Sequence, residues 1–319
     1  MPSGVSRRHL LAAPAAIAAW NGCSRAPAPG SEPRVSIIKA SYGQGLFDTV
    51  RRLLVEHKQD VRGRRILLKP NLVEYDPATS INTNPLLVHA ALEAFRAEGA
   101  ADVRIAEGPG HRRSTLDLAE AAGYFQTIPA FGSLFTDLNL DDVSLVKLPR
   151  SARNLQSLYL PKTVLACDLV VSMPKMKTHH WVGATLGMKN FFGLVPGGVY
   201  GWPKNVLHWA GIDASIVAVN SAVPKVFTIV DGIEGMEGNG PIQGRRKFAG
   251  VIVGGGDRVA VDATCCRVMG IDPQKVAYLE MAKTTNQTAE QNVRQIGELI
   301  RTVKTPFELL PVYQHLRLT

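Results

Sequence analysis

Apolar positions along this chain fall into two alternating patterns. Short apolar runs at residues 35–39, 65–69 and 103–107 read as strands. Between them, Leu46, Val50, Leu53 and Leu54 recur at helical spacing within residues 46–57. Residues 85–98 read as a second helix. Asn84 stands at its N-cap, Pro85 at its first helical position, and Gly99 ends it. Residues 115–122 read as a third helix, ended by Gly123. The β-α-β-α-β-α order predicts an α/β fold, with a mainly parallel sheet and helices on both faces.

The rest is less regular. Residues 143–148 and 157–160 look like strands, with an antiparallel extension of the sheet as one option. Residues 168–173 read as a buried strand ending at Pro174. Residues 183–211, rich in Gly and aromatics, read as a long functional loop with short helical pieces. A helix is expected at 213–221, strands at 226–231 and 250–253, and helices at 262–269, 273–283 and 288–301. There is no internal repeat and no coiled-coil heptad.

The N-terminus changes the picture. Arg7 and Arg8 precede an Ala-rich apolar stretch, Leu10 to Ala19, of signal-peptide length and too short to span a bilayer. This resembles a twin-arginine export signal and predicts a periplasmic or cell-surface protein. Residues 1–30 are expected to be signal and linker, and 31–319 a single α/β domain. Gly22 suits a lipid attachment at Cys23, but Trp20 and Asn21 do not, so cleavage near Ala26–Ala28 is the other option. No later apolar run is long enough for a transmembrane segment.

Charge and cysteine content exclude some classes. The formal net charge is +9. Without the first 30 residues, 33 basic side chains face 27 acidic ones. No Lys/Arg run is interleaved with aromatics, which argues against nucleic acid, whereas a small anionic ligand suits the balance. Past the linker only Cys167, Cys265 and Cys266 remain, with no CxxC pair. No iron–sulfur cluster is expected within the chain, and the three thiols should pack as small apolar groups.

In open parallel sheets, ligands bind beyond the carboxyl ends of the strands. Lys69 and Asn71 flank one such end, Glu107 closes a second, and Lys175 to His180 follow a third. The densest polar segment, 175 to 193, holds Lys175, Lys177, His179, His180, Lys189 and Asn190. Lysines near a histidine suit an anion and a proton transfer. Gly183, Gly187 and Gly193 would let backbone N–H groups approach a ligand closely. Apolar anchors such as Trp181, Met188, Phe191 and Phe192 argue against a merely solvated loop. Adjacent side chains diverge in extended backbone, so one of His179 and His180 at most is expected to face the site. His208, near Trp202 and Trp209, reads as structural.

A second segment runs from Asp231 to Pro241. Asp231, Glu234 and Glu237 amid glycines are either a divalent-cation loop or a Gly-rich turn with exposed acids. Gly254-Gly255-Gly256-Asp257 lacks the order of a dinucleotide fingerprint and reads as a tight turn. Asp262 reads as a helix cap. No GxSxG elbow occurs.

Six stretches together resemble the bacterial and archaeal family called domain of unknown function 362. They are Lys69-Pro70-Asn71, Pro174 to His180, Gly187 to Gly193, Tyr200 to Asn205, Asp231 to Gly238, and Asp257 to Asp262. The resemblance implies no agreed reaction. Many members carry a ferredoxin-like part with two clusters, whose cysteines this chain lacks; it looks like the exported branch without that part. The expected function is an enzyme acting on a small carboxylate or phosphate. Lys69, Asn71, Lys175, Lys189 and Asn190 would hold the ligand. His179, His180 and Lys177 would do the chemistry, with Glu107 orienting the proton carrier. The alternative is a non-catalytic ligand- or metal-binding protein.

Overall fold

The structure, a computed structural model, describes residues 32–283 and 288–319. The expected export signal at Arg7 and Arg8 and the site at Cys23 lie outside the described residues. The fold is α/β, with a mostly parallel central sheet.

Strands β1 (Arg34–Lys39), β2 (Arg65–Pro70) and β3 (Asp102–Glu107) alternate with helices α1 (Leu46–Glu56), α2 (Pro85–Ala97) and α3 (Thr115–Ala121). Local chemistry sets these boundaries. The Asn84 side chain accepts from Leu86 N at the start of α2, and Ser114 accepts from Asp117 N at the start of α3. Both side chains satisfy helix-end donors that would otherwise lack partners.

Next come β4 (Phe135–Asp137), β5 (Val143–Ala152), β6 (Leu155–Pro161), β7 (Leu169–Met173), β8 (Lys175–His179) and β9 (Gly183–Thr185). Two long strands follow, β10 (Val226–Asn239) and β11 (Gln243–Gly255), and then β12 (Arg294–Gly297). The main sheet runs β12-β1-β11-β10-β7-β2-β3-β4, with β8 beside β10 and β9 beside β8. Its antiparallel pairs are β1·β11, β10·β11 and β8·β9. The expected strands at 143–148 and 157–160 form, as β5 and β6, but pair with each other in a separate two-stranded sheet.

Alternation along the central strands divides the core in two. Ile66 and Leu68 of β2 join Leu169 and Val171 of β7 under α1, α2 and α3. Leu67 and Val170 point the other way, toward the helices Ile212–Ser221 and Arg258–Val268. Each face therefore carries helices, as a sheet buried on both sides requires.

Three expectations change. Residues 288–301 are not one helix but a turn, strand β12 and the short helix Ile300–Val303; Arg294 to Gly297 pair with β1. Tertiary edge pairing there overrides the local helical spacing. Residues 273–283 divide into a 3-10 turn, Pro273–Lys275, and the helix Ala277–Ala282. The segment from Asp231 is no loop as far as Asn239, because β10 and β11 form a long antiparallel ribbon with a register shift between Gly232 and Glu234. Its glycines admit close packing: a Cβ on Gly235 would lie 2.4 Å from Met176 O.

Candidate functional site

The parallel strands β2, β3 and β7 point their carboxyl ends the same way. Beyond those ends lies a cavity of about 260 Å³. Its polar lining includes Asn71, Glu107, Lys177, His179, His180 and Lys189, all expected from the sequence, together with Thr185, Lys204 and His208. Leu72, Trp181 and Phe192 are among its apolar walls.

Beneath the cavity, Lys69 Nζ lies 2.6 Å from Glu107 Oε2, and both side chains are buried. The ammonium also donates to Pro70 O and Asn190 Oδ1, each at 3.1 Å. Burial lowers the pKa of Lys69, and Glu107 opposes that effect. Glu107 also accepts from Leu72 N and Gly108 N. Asn190 Nδ2 donates to Lys69 O and to Ser172 Oγ, tying the segment after β9 to β2 and β7. Lys69 and Asn190 thus build the floor. Gly193 presses on it so closely that a Cβ there would meet Glu107 Oε1 at 1.9 Å and Lys69 Nζ at 2.6 Å.

Three lysines line the walls, and Glu107 is the one carboxylate among the described lining residues. Lys177 Nζ donates to Ile81 O at 2.9 Å and Pro241 O at 3.3 Å. Burial pushes its pKa well down, with Lys175 and Lys189 adding repulsion. Lys204 Nζ donates to Gly108 O at 2.5 Å and Phe192 O at 3.3 Å, and burial lowers its pKa to about 7. Lys189 has no ion pair or hydrogen bond at Nζ among the described residues; the amine sits 3.9 Å from the Phe192 ring centroid. Burial, then the Lys69 charge, brings its pKa to about 7.

Both adjacent histidines line the cavity, against the expectation of one at most. Strand β8 ends at His179 and the chain turns at His180, so the divergence of extended backbone does not apply. Their rings stack, with centroids 4.9 Å apart. Their tautomers are opposed. His179 Nδ1 accepts from Trp181 N at 3.0 Å, leaving the proton on Nε2 in the neutral ring. His180 Nδ1 lies 2.7 Å from Gly240 O, which requires the proton on Nδ1 and leaves Nε2 as an acceptor. Burial, and after it Lys189 and His180, holds the His179 pKa well below the usual histidine value.

Some expected residues stand elsewhere. Lys175 does not line this cavity. It donates to Asp231 Oδ2 at 2.7 Å, Tyr42 Oη at 3.0 Å and Glu234 O at 2.9 Å. The carboxylates at Asp231, Glu234 and Glu237 are each held by cations: Lys175 for Asp231, Arg246 for Glu234, and Lys247 with Arg245 for Glu237. Among the described residues, no group of three or more His, Cys, Asp or Glu is arranged to hold a metal ion. Asp262 is not a helix cap. Asp257 caps that helix by accepting from Ala260 N, while Asp262 accepts from Gly187 N and Met188 N.

Lys204 is an addition the sequence did not single out, and His208, read from the sequence as structural, also lines the cavity. Both come from the segment after Gly201, which folds back over the cavity. The signal for Lys204 was a lysine beside a proline inside one of the resembling stretches. His208 carried no local signal beyond its aromatic neighbours. Three polar atoms of wall residues are buried with no hydrogen-bond partner among the described residues: Asn71 Oδ1, Thr185 Oγ1 and His208 Nδ1. Such orphaned groups are costly unless a ligand or water completes them.

Comparison with known proteins places the chain. The thylakoid-associated protein sll1697 of Synechocystis sp. (strain ATCC 27184 / PCC 6803 / Kazusa) is 29% identical over 223 residues. The match covers 67% of this chain and spans 65% of that relative's length. The lactate racemase apoprotein from Thermoanaerobacterium thermosaccharolyticum shares 13% identity, with a TM-score of 0.47, over 77% of this chain and 59% of that one. A protein from Thermotoga maritima shares 11% identity, with a TM-score of 0.34, over 68% of this chain and 56% of that one. The family described as Domain of unknown function (DUF362) matches residues 66–267, most of the sheet and the whole cavity floor, and this chain belongs to it.

Proposed function

We propose that the protein is an enzyme that holds a small anionic molecule in this cavity and moves a proton on it. One observation carries the reading: Lys177, Lys189 and Lys204 line a single cavity whose one carboxylate is already bonded to Lys69. Cations gathered without counter-charges repel one another, so an arriving carboxylate or phosphate relieves the site. Lys177 and Lys204 each donate to two carbonyls, which leaves one ammonium N–H apiece for the anion. The histidines supply a donor and an acceptor side by side, as a proton shuttle needs. Asn71 and Thr185 offer their unpartnered polar atoms to a further group of the ligand.

Export by the twin-arginine route completes the proposal. It is supported by Arg7, Arg8 and the apolar stretch after them, and agrees with a relative named for association with thylakoids. Replacing both arginines by lysine should retain the protein in the cytoplasm; normal export of that variant would contradict the route.

The enzymatic reading is tested by incubating the protein with a panel of small carboxylic and phosphorylated acids in D2O. Proton NMR should show deuterium entering one class of acid, with His180→Asn slowing the exchange on the order of a hundred-fold or more. No exchange in any acid, beside clear stabilisation by the same acids, would favour a binding protein.

A further inference from the structure

The five lysines grouped around the sheet end differ in what their amines touch. Lys69 donates to three acceptors, as does Lys175. Lys177 and Lys204 donate to two carbonyls each. These partners accept hydrogen bonds and so engage each of those amines as a donor. Lys189 has none among the described residues; its amine lies over the face of Phe192 and opens on the cavity.

The backbone around Lys189 is held as firmly as its head is free. Gly187 N and Met188 N donate to the two oxygens of buried Asp262 at 2.8 and 3.0 Å. Asn220 Nδ2 donates to Met188 O at 2.8 Å, and Asn190 is tied to Lys69 O and Ser172. A Cβ on Gly187 would meet Thr228 Cγ2 at 2.8 Å and Asp262 Oδ1 at 2.9 Å, so the backbone there is packed too closely for any side chain. A fixed backbone carrying an unpartnered amine beside a proton donor and a proton acceptor is the arrangement of a nucleophile.

We propose that Lys189 is a covalent attachment point, whose amine condenses with the carbonyl of a small oxo acid while Lys177 and Lys204 hold the acid group. This rests on the anion-site reading above and names its substrate class. The amine lone pair attacks the carbonyl carbon, a C–N bond forms, and the carbonyl π pair moves to oxygen. That oxygen takes the proton on His179 Nε2, and His180 Nε2 takes a proton from the new ammonium. The carbinolamine then loses its hydroxyl as water: the C–O bond breaks as C=N forms, protonated His180 gives its proton to the departing hydroxyl, and the proton left on nitrogen returns to His179 Nε2. The sum is amine plus carbonyl to imine plus water, with no oxidant or reductant. Burial, and after it the charge of Lys69, disfavours the protonated amine and outweighs the attraction of the Phe192 ring for a cation, which suits attack near neutral pH.

The test is reductive trapping on the full chain. Protein is treated with glyoxylate or pyruvate and cyanoborohydride at pH 7, then mapped by peptide mass spectrometry. Carboxymethyl or carboxyethyl should appear first on Lys189, at least about ten-fold faster than on an exposed lysine such as Lys162, since more of its amine is neutral. Acetone, which lacks the acid group, should label it far more slowly. Lys189 left unmodified while surface lysines react, or labelled no faster than they are, overturns the proposal. Thermal shifts with malonate, run in parallel, separate the two claims. Stabilisation without labelling keeps the anion site and removes the nucleophile, labelling without stabilisation does the reverse, and the absence of both removes both.

Discussion

Lys175 and Lys177 stand two positions apart on β8, so both side chains leave the strand on the same face. Their surroundings are opposite. Lys175 meets buried Asp231, whose two oxygens also accept from Tyr42 Oη and Asn84 N. Burial, and then Asp231, raises the Tyr42 pKa, so that hydroxyl stays a donor. Every charge in that cluster has a counter-charge. Around Lys177 there is only backbone carbonyl, with Lys189 and Lys204 sharing the same cavity. A balanced cluster holds a fold together; an unbalanced one costs stability and gains its purpose from a ligand.

The largest effect should come from unbalancing the balanced cluster. Asp231→Asn leaves Lys175 buried with no counter-charge and should cost about 3–5 kcal/mol in urea unfolding. A loss below about 1 kcal/mol would mean the cluster is not what holds β8 to β10. Next is Gly193→Ala, whose methyl must displace Glu107 or Lys69. It should cost about 1–3 kcal/mol and abolish stabilisation by anions, because the floor moves. Unchanged anion response in that variant would separate floor from walls.

Removing charge from the unbalanced site should act the other way. Lys189→Met keeps most of the stem and deletes the charge. Its stability should stay level or rise slightly, while the melting shift from phosphate or sulfate falls. The pH dependence sharpens this. Lys189 and Lys204 titrate near 7 in the fold, against an ordinary lysine value of 10.5. Between those values the unfolded chain binds more protons, so stability rises with pH and the rise is complete above about 10.5. Lys189→Met should flatten that rise only in part, because Lys69, Lys177 and Lys204 are also held below the ordinary lysine value and remain. An identical slope in both proteins would show that Lys189 is charged in the fold throughout the range.

How far the sequence carried this comparison depends on where each residue sits. Lys69, Asn71 and Glu107 were legible because they lie at or just beyond the ends of strands whose apolar runs are plain, and a parallel sheet gathers such ends. The cap at Asn84 was legible because its chemistry is local. The cavity's far wall was not, since Lys204 and His208 reach it only after the chain from Gly197 to Trp209 folds back. The split between Lys175 and Lys177 was also hidden. Both read as one basic strip, and only the pairing of Asp231 with Lys175 across β8 and β10 tells them apart. Asp231 itself, amid glycines, suggested a turn, because glycine that serves close strand packing looks the same in sequence as glycine that serves a bend.

On the function proposed above, the cavity is built for an anion that the chain does not itself supply. Isothermal titration of malonate into the wild-type protein and into Lys204→Met, at one fixed low salt concentration, is the decisive check. Saturable one-to-one binding to the wild type is expected, weakened about ten-fold or more in the variant, as loss of a partly desolvated charge contact implies. No saturable heat in the wild type, or equal affinity in the two proteins, would contradict it.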